Sequence, residues 1–262
     1  MEQLSLSFHV FAANIKSVFW VMTIVFLPIS ILETIIGGRM WNAYAVFQQL
    51  AATGLTASGQ ADFLQSAYQV LFHAGLLFMV MLFLQPVGTI ALAKVAKQFL
   101  TQGRVSFGAA LGEAFSLMPA IVVSGIIYGV LVFLASLLIV PGIYLSVAWA
   151  FYLYALGLSD KRGMAALRYS KDLVKGKWWR TLGYACLLSI IAMLWNSAFQ
   201  LVYSLLPKAD IRDAVYQFLC YFSSAFVVVG QTLLFLNREA VTYGVPMAEG
   251  QEKEEKEENE AE

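Results

Sequence analysis

Charge is what this chain has least of. Asp, Glu, Lys and Arg make up 13% of its 262 residues, about half the share of an ordinary soluble domain. Two histidines and two cysteines leave little for metal or thiol chemistry. His9 and His73 fall in segments expected on opposite membrane sides. Cys186 and Cys220 lie in apolar runs with no partner at ligand spacing, so they read as free buried thiols. No metal and no cofactor is expected. The chain also lacks a G-x-x-x-x-G-K-[ST] phosphate loop, because Gly176-Lys177 has neither the upstream glycine nor the following hydroxyl. It has no G-x-S-x-G elbow and no H-E-x-x-H pair. These absences exclude an ATP-driven motor and a zinc hydrolase. A membrane-embedded enzyme would need reactive side chains clustered at one depth, and the sequence offers none, so the reading is not an enzyme.

What is abundant is apolar surface: 60% of residues are hydrophobic and the mean hydropathy is +0.70. That composition is a membrane protein's, and 262 residues suit one all-α polytopic bundle over 1–244. Hydrocarbon about 30 Å thick needs roughly 20 helical residues. Apolar runs of that order lie at about 18–36, 69–93, 119–140, 142–158, 182–206 and 213–236. The third and fourth are separated only by Pro141-Gly142, which is expected to break the helix and make a tight hairpin. The segment 37–68 is too polar and Gly-interrupted to span, and is expected to be loop with short interfacial helices. The first run follows Lys16 and has no small-x-small site behind it, so it reads as a retained helix rather than a cleaved leader.

Basic residues orient these spans, because cytoplasmic segments retain Lys and Arg. With the N-terminus inside, the inner segments hold Lys16, Lys94, Lys97, Arg104, Lys161, Arg162, Arg168, Lys171, Lys175, Lys177, Arg180, Arg238, Lys253 and Lys256, against Arg39, Lys208 and Arg212 outside. An even number of spans is needed to keep the two basic loops, 94–117 and 159–181, on one side. Both termini are therefore expected in the cytoplasm of a cell whose inner membrane holds the bundle. The zero net charge hides an asymmetry, since EGQEKEEKEENEAE at the C-terminus is strongly acidic. Residues 245–262 read as a disordered, solvated tail.

Three segments repeat one design of amphipathic surface helix followed by a span, before spans 1, 3 and 5. In LSLSFHVFAANIK, residues Leu4, Phe8, Phe11, Ala12 and Ile15 share a face. In VSFGAALGEAFSLM, Phe107, Ala110, Leu111, Ala114, Phe115 and Met118 do so, with Ser106 as N-cap and Pro119 at the junction. The third copy, GMAALRYSKDLVKGKWWR, sets Arg168, Lys171, Asp172 and Lys175 in a charged stripe opposite Ala166, Leu167, Leu173 and Val174. Such a helix lies in the interface, basic face toward headgroups, or packs as an ordinary loop helix on protein. Trp178 and Trp179 sit where indoles settle, at the headgroup boundary. Arg168, Lys171, Lys175, Lys177, Trp178, Trp179 and Arg180 are thus the candidate interface for anionic lipid headgroups, and the patch is not a grip for nucleic acid.

Ionisable residues within the spans are almost confined to Glu33, near the end of the first run and six residues before Arg39. It reads as an interfacial carboxylate in preference to a coupling site. Four uncharged polar residues, Gln85 beside Pro86, Asn196 with Gln200 at i, i+4, and Gln231, form a candidate intramembrane polar site. Hydrogen bonding between helices is the commoner use of such residues. Gly125-Ile-Ile-Tyr-Gly129 permits close helix contact, within the monomer or in a homo-oligomer; a protein partner also stays open.

The run 139–184 resembles bacterial six-span proteins grouped with the membrane domain of glycerophosphoryl diester phosphodiesterase. The likeness rests on a V-P-G-I hairpin (Val140 to Ile143), Asp160 before a Gly163 turn, Ala166 to Arg168 with Ser170, and an exit over Leu173 to Trp179. It covers about a fifth of the chain at motif level, and the order of helices and spans matches more widely. The resemblance implies an inner-membrane bundle. The catalytic domain of the enzyme that names the family has no counterpart here. Together these readings describe a non-enzymatic multi-pass protein that contacts lipid headgroups, in membrane organisation or as a membrane partner. The alternative is a transporter or permease subunit for an apolar or lipidic substrate.

Overall fold

The computed structural model describes residues 2–53, 59–103, 105–205 and 210–244. It is all-α. α1 spans Glu2–Ala13 and α2 Ile15–Val21; a π-helical turn, Met22–Phe26, leads into α3, Leu27–Thr53. α4 is Gly59–Gln102, α5 Phe107–Ser116, α6 Met118–Ser136, α7 Ile139–Ala148 and α8 Tyr152–Ser159. α9 covers Met164–Val174, α10 Trp178–Leu205 and α11 Asp210–Tyr243. Six stretches among the described residues are long and apolar enough to cross a membrane: 15–52, 59–102, 118–136, 139–159, 178–205 and 212–243. The protein is a polytopic bundle, and α1, α5 and α9 precede its first, third and fifth spans.

The apolar side chains turned outward make the case for lipid independently. Leu71, Val140 and Leu205 are each more than 70% exposed, and Phe133, Leu138, Met193 and Leu194 more than 60%. A water-soluble monomer does not carry contiguous apolar surface on that scale. α11 is the hub, packed on α1, α3, α4, α9 and α10. Its most apolar window is 56% buried, against 11% for α10, which sits at the rim. Glycines let helices close up, on the hub at Gly230 and between α4 and the π-helical turn at Gly88. A Cβ on Gly230 would stand 2.8 Å from the Leu188 methyls, and one on Gly88 would run into the Phe26 ring.

Two expectations about helix ends are corrected. The described residues on either side of 54–58 are helical, so the segment 37–53 is not loop and helix resumes at Gly59. Hydropathy marks the length that meets hydrocarbon and not where a helix stops. Beyond that length α3 and α4 stay paired through Phe47 stacked on Phe63, 4.6 Å between ring centroids. The hairpin between the third and fourth spans turns at Leu137-Leu138 instead of Pro141-Gly142. Pro141 lies in the first turn of α7, where a missing N–H costs nothing because that turn's N–H groups have no intrahelical acceptor. Gly142 serves the close approach of the two helices, since a Cβ there would stand 2.9 Å from Ser136 Cα.

α9 divides as its sequence predicts. Ala166, Leu167, Leu173 and Val174 are buried, and Arg168, Lys171, Asp172 and Lys175 exposed. Its apolar face, however, is covered by α6, α7, α8 and α11, so that face packs on protein and does not lie down into lipid. α1 is likewise drawn into the bundle on a rotated face. Ser7, Val10, Phe11 and Asn14 are buried, while Phe8 and Ile15 stay more than 40% exposed. Phe11 sits edge-on to Phe222 and Phe226, and Ser7 shares a hydrogen bond with the Tyr184 hydroxyl at 2.9 Å. α5 docks on α4 through Ala110 and Ala114. Ser106 is its N-cap by position but makes no side-chain cap; its own N–H donates to Gln98 Oε1 at 3.1 Å.

Candidate functional site

One polar centre lies along the N-terminal half of α11, and a second lies between α7 and α9. In that half of α11, Asp213, Gln217 and Tyr221 recur at i, i+4, i+8; Gln217 and Tyr221 meet Glu33 of the first span, and Asp213 meets Tyr203 of α10. The Tyr221 hydroxyl donates to the Glu33 carboxylate, 2.6 and 2.7 Å from its two oxygens, and accepts from Gln85 Nε2 at 2.5 Å. Gln217 Nε2 donates to Glu33 Oε2 at 3.0 Å. Glu33 is therefore held by hydrogen bonds from α11 and not by Arg39. Among the described residues the ion pairs are Lys94–Glu113 and Arg212–Asp213. A carboxylate removed from water must find donors, and a phenol and an amide supply them here.

This cluster lines a cleft of about 610 Å³ whose walls include Glu33, Gln85, Gln200, Asp213, Tyr216 and Tyr221. Gln200 and Tyr216 also border a second groove of about 670 Å³ that takes in Asn196. Asn196 Oδ1 accepts from Ser223 at 2.5 Å. Gln231 is apart from both, accepting the Tyr154 hydroxyl at 2.9 Å. Of the four polar residues singled out in the sequence, Gln85 and Gln200 share one cleft, Asn196 and Gln200 the adjoining groove, and Gln231 neither. Both volumes fall in the range of small-molecule pockets. At the cleft's edge Tyr203 donates to Asp213 Oδ1 at 2.7 Å, and the Arg212 guanidinium lies 4.0 Å from the Tyr203 ring centre.

The second centre is basic. A pocket of about 490 Å³ between α7 and α9 is lined by Arg168, Lys171, Asp172, Lys175 and Trp178, with Tyr144 as the opposite wall. Trp178 stacks on Tyr144, ring centroids 6.1 Å apart, and donates Nε1–H to the Tyr144 carbonyl at 3.2 Å. Gly176, at φ +74°, makes the turn that separates α9 from α10 and lets Trp178 fold back. Lys177 is half-buried, while Trp179 (78%) and Arg180 are exposed outside the pocket. Of the seven predicted interface residues, four thus converge on one pocket and three flank it.

Beneath this surface the fourth span is broken at Trp149–Phe151, between α7 and α8. The buried Ser170 hydroxyl of α9 accepts the Phe151 N–H at 3.0 Å and donates to the Ala148 carbonyl at 2.9 Å. It replaces helix bonds that the break removes. Ser159 and Tyr169 both donate to Glu239 Oε1, at 2.6 and 2.5 Å. Burial and the bonded Glu239 carboxylate hold the Tyr169 phenol above its usual pKa, so it remains a donor. The sequence reading missed Gln217, Tyr221, Ser170 and Glu239. The stripe of Asp213, Gln217 and Tyr221 was the available signal. Ser170 stood in the sequence only as part of the motif Ala166 to Arg168 with Ser170, with no role attached to it. The described residues offer no group of three or more His, Cys, Asp or Glu able to hold a metal; Cys186 and Cys220 are free thiols, but Cys186 is exposed and Cys220 half-buried, so neither is the buried thiol expected.

No curated protein and no solved structure matches this chain. The profile of a domain of unknown function, DUF7847, matches residues 43–243, a stretch that holds most of the bundle, the groove around Asn196 and the whole basic pocket, while Glu33 and the rest of the α3 wall of the cleft lie before it. By that match this multi-pass membrane protein belongs to the DUF7847 family.

Proposed function

We propose that the protein is a non-enzymatic component of a bacterial inner membrane. Its basic surface binds anionic lipid headgroups, and its role is membrane organisation or support of a membrane partner. The observation that carries this reading is the pocket in which Arg168, Lys171 and Lys175 converge beside stacked Tyr144 and Trp178. Lysine and arginine near an anionic surface add about 1 kcal/mol of attraction each, and indoles settle at the headgroup boundary. Because α9 leans on protein with its apolar face, its charged stripe is held fixed and free for headgroups. In this reading the basic end faces the cytoplasm, with both termini there, and any kinship to the six-span family named above stays within the membrane part.

Replacing Lys171, Lys175 and Lys177 by Gln is expected to weaken retention of anionic lipid by about two orders of magnitude, from roughly 1 kcal/mol per charge, with zwitterionic lipid unaffected. Unchanged lipid copurification would sink the reading. Orientation is checked with reporter fusions after Leu50, Arg168 and Gly250, expected to report outside, inside and inside.

The cleft around Glu33 and Gln85 favours a second reading, a transporter or permease subunit for an apolar or amphiphilic substrate. It joins a membrane-exposed groove through Gln200 and Tyr216, and it holds a carboxylate among hydrogen-bond donors. Uptake or flipping in proteoliposomes, abolished by Gln85→Ala and Gln200→Ala in folded protein, decides between the two.

A further inference from the structure

Arg238 is the buried charge that the bundle leaves uncompensated. It is 7% exposed, and its Nε has no hydrogen-bond partner. Neither ion pair among the described residues includes it. Its neighbour in the chain, Glu239, is directed to Ser159 and Tyr169 instead. A buried guanidinium left so is costly, and folded proteins normally pair such groups.

The register of α10 on α11 shows what stands nearby. Asn196 meets Ser223 and Leu188 meets Gly230. Eight residues further along each antiparallel helix, the same register sets Arg180 at the level of Arg238. Arg180 is exposed and follows Trp178 and Trp179 directly. Two arginines at one level of facing helices, one buried and one open, offer N–H forks to a single anion, which suits the several oxygens of a phosphate.

We propose that Arg180 and Arg238 form a binding site for a phosphate group at the junction of α10 and α11, distinct from the α9 pocket. The phosphate enters past the exposed Arg180 and supplies the acceptors that Arg238 lacks. A lipid headgroup and a free phosphate offer the same chemistry. If the source is lipid, the site extends the headgroup-binding reading above; it shares Arg180 with that interface but none of the residues of the α9 pocket, and it fails separately.

The test uses the full chain, delipidated in mild detergent. Binding of phosphatidylglycerol, phosphatidylcholine and inorganic phosphate is followed by native mass spectrometry and by the shift in thermal unfolding midpoint. Wild type is expected to bind phosphatidylglycerol or inorganic phosphate, and Arg238→Met and Arg180→Gln each to weaken that binding by about tenfold or more, the worth of a charge-assisted hydrogen bond. Phosphatidylglycerol without inorganic phosphate identifies a lipid; binding of both identifies a phosphate anion as sufficient. If Arg238→Met does not fold, Arg180→Gln at its exposed position carries the test. No binding of either probe, or binding that both arginine variants leave unchanged, overturns the site. Loss in the Lys171, Lys175, Lys177 triple variant alone overturns it while upholding the α9 pocket, and loss in the arginine variants alone does the reverse.

Discussion

The two halves of α11 handle buried polarity in opposite ways. Around Tyr221 each polar group meets another, Gln85 to Tyr221 to Glu33, with Gln217 closing the set. Eighteen residues further along the helix, Glu239 is equally well served by Ser159 and Tyr169, while Arg238 beside it has an unbonded Nε. A satisfied cluster can hold helices together with nothing bound. An unsatisfied one points outside the chain for its partner. The comparison separates polar residues that work as glue from Arg238, the buried cation among the described residues, which keeps a donor free.

The largest effect should come from the glue at the basic end. Glu239 is 6% exposed and accepts two charge-assisted hydrogen bonds that tie α11 to α8 and α9. Glu239→Leu leaves two hydroxyls without their acceptor and should cost about 3 kcal/mol, read from thermal unfolding in detergent. Glu239→Gln keeps an acceptor oxygen and should cost clearly less. Equal losses would mean that charge, and not hydrogen bonding, holds this corner. The expected cost at Tyr221 is smaller. Tyr221→Phe removes one hydroxyl but leaves Gln217 on Glu33, so about 1 kcal/mol is expected. A variant of native stability that loses transport would shift the cleft from glue to substrate site.

These contrasts were only partly legible in the sequence. The spans, and the split of α9 into charged and apolar sides, follow from periodicity, because long apolar runs and an i, i+3, i+4, i+7 charge stripe are local properties. The break in the fourth span is not local. It depends on Ser170 arriving from the next helix, and a lone serine on an apolar face looks like any small filler. Glu33 was visible as a carboxylate, but its donors come from α11, nearly two hundred residues on. Arg238 entered the sequence argument only as one of many basic residues, since burial and the want of a partner are properties of packing. The Pro-Gly pair misled for a related reason. It is a strong breaker in a helix interior and harmless in a first turn, and only the position of the helix start tells these apart.

The smallest expected effect tests what holds the short helices of the repeat. α5 is tied to α4 by Lys94–Glu113 at 2.5 Å, with side chains 18% and 57% exposed, and by Ala110 and Ala114, both fully buried. A pair with one partner so open contributes about 0.5 kcal/mol at most, so Glu113→Gln should barely move the unfolding midpoint. Ala110→Leu forces a larger side chain into a closed interface and serves as the positive control, at about 2 kcal/mol. A loss above about 1 kcal/mol for Glu113→Gln would mean that α5 is held by charge. α9 is anchored by its apolar face, with its charges exposed, so the helices before the third and fifth spans would then share a place in the chain order without sharing a mode of attachment.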